Sequence, residues 1–373
     1  MIRRQLLSTI REMLFKGKAI IITGARQVGK TTLLKKMASE IQPQPLFLNC
    51  DETDVRQMLT DTTSSQLRQM TGNHRVVIID EGQRVKNIGL TLKLFTDELP
   101  EIQLIVSGSS ALELANQINE PLTGRKFEYN LFTLSRKELV SHNTLIEENR
   151  LLEDRLIFGS YPEIVTYPED RVKRLTELAG SYLYKDLFNF QEIRKPELLQ
   201  LLLEALALQI GNEVSYSELA QTVHSNSDTV KRYIDLFEKL YIIFRLRAFS
   251  RNLRNELKKS RKIYFYDNGI RNVLIRNFNP LTIRTDAGAL WENYLVSERQ
   301  KRNSYEDHFC NTYFWRTKQQ QEIDYIEEYE GNLHAYEFKW NPKVKYRFSK
   351  TFLRAYPNNK TTIIHRDNFD QFL

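Results

Sequence analysis

A chain of 373 residues exceeds one ordinary domain and can bury a large core without disulfides or metals. Its 41% apolar and 27% charged residues exclude collagen-like, mucin-like and wholly disordered classes. Fifty-four basic against 47 acidic residues leave +7, which favours an anionic partner such as a nucleic acid, although a bland basic surface gives the same total. In chain order, short Ile/Val/Leu runs at Ala19–Thr23, Leu46–Asn49, Val76–Asp80 and Leu104–Ser107 predict buried strands. Between them, Thr31–Glu40 and Leu90–Glu98 carry helical i, i+3, i+4 spacing, so a parallel sheet covered on both faces is expected. The alternation fades after Ser135. From Arg150 to Ala248 the pattern is mostly helical, including Glu197–Ile210, and from Lys262 short aromatic-rich strands return. The expected domains are 1–150, 151–255 and 256–373.

Two distant cysteines, Cys50 and Cys310, exclude a disulfide framework and fit a reducing compartment. No apolar run approaches the roughly 18 residues that span a bilayer. Arg11, Glu12, Lys16 and Lys18 fall where a signal peptide would need its apolar core. A cytoplasmic protein without membrane contact is expected.

The most specific motif follows the first strand. Gly24-Ala25-Arg26-Gln27-Val28-Gly29-Lys30-Thr31-Thr32 fits G-x-x-x-x-G-K-[ST] between a strand and a helix. Glycines at 24 and 29 let backbone N–H groups close round phosphate oxygens, and the following helix aims its positive end at the same anion. Lys30 would bridge terminal phosphates and the Thr31 hydroxyl would hold Mg2+. An apolar strand ending in acid should accompany such a loop, and Val76–Asp80 with Glu81 supplies it. Asp80 would bind Mg2+ through water, and Glu81 would polarise a hydrolytic water. Beside that strand, Ser107-Gly108-Ser109-Ser110 either orients water or forms a capping turn. Arg125 is a candidate charge-stabilising arginine, in cis or from a neighbouring subunit, unless it is a plain surface residue.

In order, the segments GARQVGKTTLL, IIDEGQR, SGSSA, LTGRKFEYNLFTLSRKE and GSYPEIV resemble prokaryotic AAA-type ATPases that carry a C-terminal domain of unknown function, DUF4143. The resemblance covers essentially the whole chain. It implies nucleotide contacts at Gly24, Gly29, Lys30, Thr31 and Thr32. It also implies Asp80 and Glu81 as the acid pair, Ser109 in the sensor turn and Arg125 in the Gly-Arg element. Ser107 stands where the family has Thr, which keeps a hydroxyl, and Ser160 replaces a glycine.

Farther on, Val214–Ala220 opens a short helix with Ser217 as its expected cap. A turn at His224–Ser227 and a helix over Asp228–Leu240 follow, then the strand-like YIIFRLRAFS. That order fits a winged helix-turn-helix, with Thr229, Lys231, Arg232 and Asp235 on the face offered to a groove. Residues 231–262 hold eleven basic against three acidic side chains, which suits phosphate contacts, while the same fold also docks proteins. His224 reads as a turn residue.

In the tail, Glu292 lies on an expected helix, Asp324 in EIDYI, and Glu337 and Lys339 in AYEFKW. Residues two apart in a strand share a face, so Glu337 and Lys339 point together. The set resembles the restriction-endonuclease fold, in which carboxylates hold a divalent metal and the lysine supports the attacking water. Glu298 is an alternative helix acid, but six positions are about 240° of rotation, so it cannot share the site with Glu292. An active nuclease, a silent metal-capable scaffold and a salt-bridged strand pair all remain open.

The whole reading is a P-loop NTPase parallel sheet, a helical region with a winged helix, and a nuclease-like α/β tail. ATP and Mg2+ are the expected ligands, with a second divalent site in the tail. DNA, or a protein docked on the winged-helix region or tail, is the expected partner, and an oligomer is compatible with it. The function read is ATP hydrolysis coupled to DNA engagement, or else a nucleotide-switched docking module with an inactive tail.

Overall fold

The computed structural model describes residues 2–108, 118, 121–180, 196–250 and 261–373. The chain divides into two compact units, Met1–Leu134 with Lys239–Tyr241, and Ser135–Glu238 with Ile242–Leu373.

The first unit is built on five parallel strands: β1 (Ala19–Thr23), β2 (Leu46–Asn49), β3 (Val76–Asp80), β4 (Gln103–Gly108) and β5 (Lys126–Asn130), in the order β2-β3-β4-β1-β5. β1, β3 and β4 are buried at every position because helices cover both sheet faces, which is why they read as unbroken apolar runs. α1 (Leu6–Met13) and α2 (Lys30–Glu40) are among those helices, together with the Ile88–Glu98 helix. β5 escapes a search for apolar runs. Its sequence KFEYN is half-exposed, as suits an edge strand, and only pairing to β1 makes it part of the sheet. The acid strand β3 is separated from the loop strand β1 by β4, with Ile22 opposite Ser107 and Ile79 opposite Val106.

The second unit holds a mixed sheet of β6 (Glu213–Val214), β7 (Ile243–Ala248), β8 (Arg261–Phe265), β9 (Asn311–Arg316), β10 (Glu322–Tyr329), β11 (Asn332–Lys339) and β12 (Asn359–His365). Their order is β12-β11-β10-β9-β7-β8-β6. The break expected near residue 255 falls between β7 and β8, which are antiparallel neighbours in this one sheet. The Ala287–Tyr305 helix packs Trp291, Tyr294 and Leu295 onto Tyr264, Phe314, Tyr325 and Phe338. Each such aromatic removes about 150–250 Å² from water, so this layer anchors the unit. The Tyr216–Thr222 helix is capped by Ser215, not by Ser217. The Ser215 backbone is extended and its Oγ accepts the Glu218 N–H, whereas Ser217 lies inside the first turn. No helix of the described residues is long and apolar enough to cross a membrane.

Candidate functional site

In the first unit, the loop after β1 is shaped by backbone hand. Gly24, Gln27 and Gly29 have φ of +153°, +59° and +98°. A Cβ on Gly24 would lie 2.2 Å from the Leu131 carbonyl oxygen, so only glycine fits there. Gly29 is the left-handed residue that opens α2, leaving that helix's first N–H groups to face an anion. Lys30 is buried, and its Nζ donates to the carbonyls of Gly24 and Ala25 at 3.0 and 2.8 Å, so the ammonium is folded back over the loop. Thr31 is half-buried at the mouth and Thr32 is exposed one residue on.

Asp80 ends β3 fully buried, and the Ser107 hydroxyl donates to its Oδ1. The same Ser107 oxygen accepts the Glu81 N–H at 3.2 Å. Glu81 turns into the left-handed region at φ +56°, and the Gln83 amide donates to its Oε2 at 2.6 Å. The hydroxyl at the tip of β4 therefore touches both members of the acid pair. Ammonium, hydroxyl and carboxylate oxygens, with a backbone cradle that a Cβ would fill, are a donor set that fits a nucleotide phosphate and Mg2+.

Ser109 lies outside the described residues. Arg125 precedes β5, where its carbonyl accepts the Ala19 N–H at 2.9 Å and its guanidinium pairs with Asp97. That is the amino end of β1, and the loop leaves the carboxyl end about 16 Å away, five residues at about 3.3 Å each. Of the two roles for Arg125, the cis one is therefore corrected by strand direction. Sequence reasoning missed Arg4, whose guanidinium donates to the carbonyls of Val28 and Phe132 at 2.6 Å each and braces the loop. Nothing in MIRRQLL marks one arginine for that task.

In the second unit, the tail residues do meet. Tyr325 pairs with Tyr336 across β10 and β11, which puts Asp324 opposite Glu337 on one face. Asp324 Oδ2 accepts the Phe338 N–H at 2.8 Å. Lys339 Nζ lies 2.6 Å from Glu337 Oε1, and the Tyr346 hydroxyl also meets the Glu337 carboxyl. Glu292 enters from the Ala287–Tyr305 helix and is met by two residues no motif had flagged. Lys262 Nζ sits 2.8 Å from Glu292 Oε1 and 2.5 Å from Glu322, and the Tyr264 hydroxyl donates to Glu292 Oε1 at 2.6 Å. Alternation along β8 was the available signal, since Lys262 and Tyr264 share a face. Burial pushes the Asp324 carboxyl well up, and Glu292 and Glu337 push it further. Burial would strip the proton from Lys262, but Glu292, Asp324 and Glu322 outweigh it and hold the ammonium above the ordinary lysine range. Glu298 is elsewhere, bound to Lys301 and to the Arg136 N–H, each at 2.6 Å.

On the Ser227–Lys239 helix, Lys231 and Arg232 are exposed. Asp235 is bound to Arg245 at 2.7 Å. Lys262 and Arg245 thus spend their charge on internal acids, so the basic stretch offers less to a phosphate backbone than its composition suggests. His224, at φ +51°, is a turn residue. Residues 251–260, part of that basic stretch, lie outside the described residues.

The strand order and the glycine–lysine–threonine loop define a P-loop nucleotide-binding protein. Residues 16–140 match the AAA domain family, residues 287–372 the domain of unknown function DUF4143, and residues 149–281 another domain of unknown function, DUF8612. The chain thus carries an AAA domain followed, at its C-terminal end, by a DUF4143 domain. It is 24% identical over 343 residues to an uncharacterized protein of Mycobacterium tuberculosis, covering 90% of this chain and 74% of that one. An uncharacterized protein of Haemophilus influenzae is 24% identical over 278 residues, covering 67% and 68%. In fold, the chain is similar to a Walker-type ATPase of Pyrococcus abyssi, with a TM-score of 0.51, 17% identity, and coverage of 74% of this chain and 96% of that one.

Proposed function

We propose that the protein binds and hydrolyses ATP and couples nucleotide state to engagement of DNA by its C-terminal regions. The observation that carries this reading is the acid pair Asp80–Glu81, tied by Ser107 to the strand that adjoins the Gly24–Thr32 loop. Bound Mg2+ would supply charge neutralisation at the phosphates, held by Thr31 and, through water, Asp80. Gly24 and Gly29 let main-chain N–H groups approach the phosphates, and Lys30 leaves its carbonyl partners for the terminal ones. Glu81 accepts a proton from the attacking water, and the Gln83 amide holds its carboxylate in place. Arg125 of a neighbouring copy, and Ser109, would act on the developing charge. DNA would meet Lys231 and Arg232 on a winged-helix face.

ATP turnover measured with and without duplex DNA tests the coupling, and stimulation or suppression by DNA is expected. DNA affinity should fall with salt, with a slope of about −0.9 per phosphate neutralised. Reversing Lys231 and Arg232 should lower that slope by about two. Turnover indifferent to DNA, with no binding at low salt, would sink the coupling.

A second reading, a nucleotide-switched docking module with a silent tail, is favoured by Lys262. Its ammonium already pairs with both Glu292 and Glu322, in the place a metal would take between them. The crowding of Asp324 by the carboxylates of Glu292 and Glu337 favours a metal-capable tail instead. DNA degradation in Mg2+ or Mn2+, with and without ATP, separates the two.

A further inference from the structure

The second unit carries another set of ligating side chains, away from the acid cluster. The Ala287–Tyr305 helix ends in a reversal. The Glu306 N–H bonds to the Arg302 carbonyl, the His308 N–H reaches back to the Asn303 carbonyl, and Asp307 between them takes a left-handed φ of +50°. That turn delivers His308 and then Cys310, with Phe309 between them 84% exposed. Glu327 comes from β10. Its register with β9 sets Cys310 diagonally beside it on one face, since Glu327 pairs with Thr312 and Glu328 with Asn311. One ligating atom from each of His308, Cys310 and Glu327 lies within 4.8 Å of the other two.

We propose that His308, Cys310 and Glu327 form a binding site for one divalent ion of the zinc class. Tetrahedral Zn2+ with bonds of about 2.0–2.3 Å needs its ligand atoms roughly 3.5 Å apart, so side-chain adjustments of about 1 Å close the site. Imidazole, thiolate and one carboxylate select zinc over magnesium or calcium, which take oxygen ligands.

The surroundings are those of a supported metal site. Arg299 grips Glu327 through both guanidinium arms at 2.8 and 2.6 Å, and the Tyr325 hydroxyl adds a third bond at 3.2 Å. Burial raises the Glu327 carboxyl, but Arg299 outweighs it, so the group is an anion. Asn303 Nδ2 donates to Glu327 Oε1 at 2.8 Å and to Cys310 Sγ at 3.3 Å, fixing two ligands with one amide. Among the described residues the buried Asn303 oxygen has no hydrogen-bond partner. The Tyr329 ring lies 5.0 Å from the imidazole. An open cavity of about 590 Å³ borders the cluster at Cys310, lined also by Phe309, Asn311, Glu328 and Tyr329. Zinc binding forms the metal–sulfur bond as the thiol proton leaves to solvent, one proton per ion.

The test is a Co2+ titration of the EDTA-dialysed full chain, with millimolar Mg2+ present to occupy oxygen-only sites. One equivalent should give a thiolate-to-cobalt charge-transfer band in the near ultraviolet, with the intense visible bands of tetrahedral cobalt, and Zn2+ should erase both. Cys310→Ser should abolish the band, whereas Cys50→Ser should leave it. Asn303→Ala should weaken affinity about 10–100-fold, the usual effect of removing a residue that orients a ligand. His308→Gln, a change at a partly exposed side chain, should weaken it at least as much. No band at millimolar Co2+, a band that survives Cys310→Ser, or His308→Gln binding as tightly as wild type overturns the proposal.

Discussion

The nucleotide loop and the tail acid cluster both gather charge, and they do so by opposite means. The loop uses main chain. Two glycines and one lysine within nine consecutive residues bend the backbone so that N–H groups and a helix end face one point, at the carboxyl end of a parallel strand. The tail uses side chains from β8, β10, β11 and a helix, spread over Lys262 to Lys339, and pairs Glu292, Glu322 and Glu337 with two lysines of its own. A site built of backbone leaves room for a ligand to bring the missing charge. A site built of paired side chains already holds cations of its own, so an incoming ion must displace or share a partner that is in place.

The largest expected effect breaks the loop's side of this contrast. Lys30→Ala should bring ATP binding and turnover below detection with an unchanged far-ultraviolet spectrum, because Lys30 is the cation placed for the terminal phosphates. Glu81→Gln should keep binding and slow turnover by about 100- to 10,000-fold, the usual share of a general base. Asp80→Asn should instead weaken Mg2+-dependent binding. Identical behaviour of the two acid variants, measured by nucleotide titration and phosphate release, would merge the roles assigned to them.

The tail's side breaks at Lys262. Lys262→Met leaves Glu292 and Glu322 near each other without their ammonium, and removing one partner of a buried pair costs about 3–5 kcal/mol. Thermal unfolding should show this as a large fall in Tm. If the tail is metal-capable, Mn2+ should restore part of the loss by taking the vacated position. Restoration by Mn2+ and not by NaCl separates coordination from screening.

The smallest effect sharpens the contrast between lysine-held and arginine-held acids in the same unit. Burial raises Asp286, but hydrogen bonds and charge from Arg284 and Arg271 prevail and hold it at about 2. Because its folded pKa is depressed, the stabilisation is full above the ordinary aspartate value of about 3.9 and is lost as pH falls towards 2. Asp286→Asn should therefore lower stability by about 2 kcal/mol at pH 7 and by almost nothing near pH 2. Chemical denaturation at several pH values reads the difference, and a penalty independent of pH would remove the charge from the explanation.

The sequence by itself determined the nucleotide loop, its strand and helix, and the acid strand, because contiguous residues and buried parallel strands write their requirements locally. Gly24 and Gly29 are legible since only glycine takes those backbone angles so close to other main chain. That Glu337 and Lys339 point together was legible too, from strand alternation. Only the tertiary structure decided that Lys262 holds Glu292 and Glu322, that Arg4 braces the loop, and that Arg125 lies at the wrong end of β1 for its own loop. It alone joined β7 and β8 into one sheet with the tail strands, and brought His308 and Cys310 to Glu327. These are contacts across long sequence separations, fixed by strand order, register and helix placement. No local pattern of residue types carries that information.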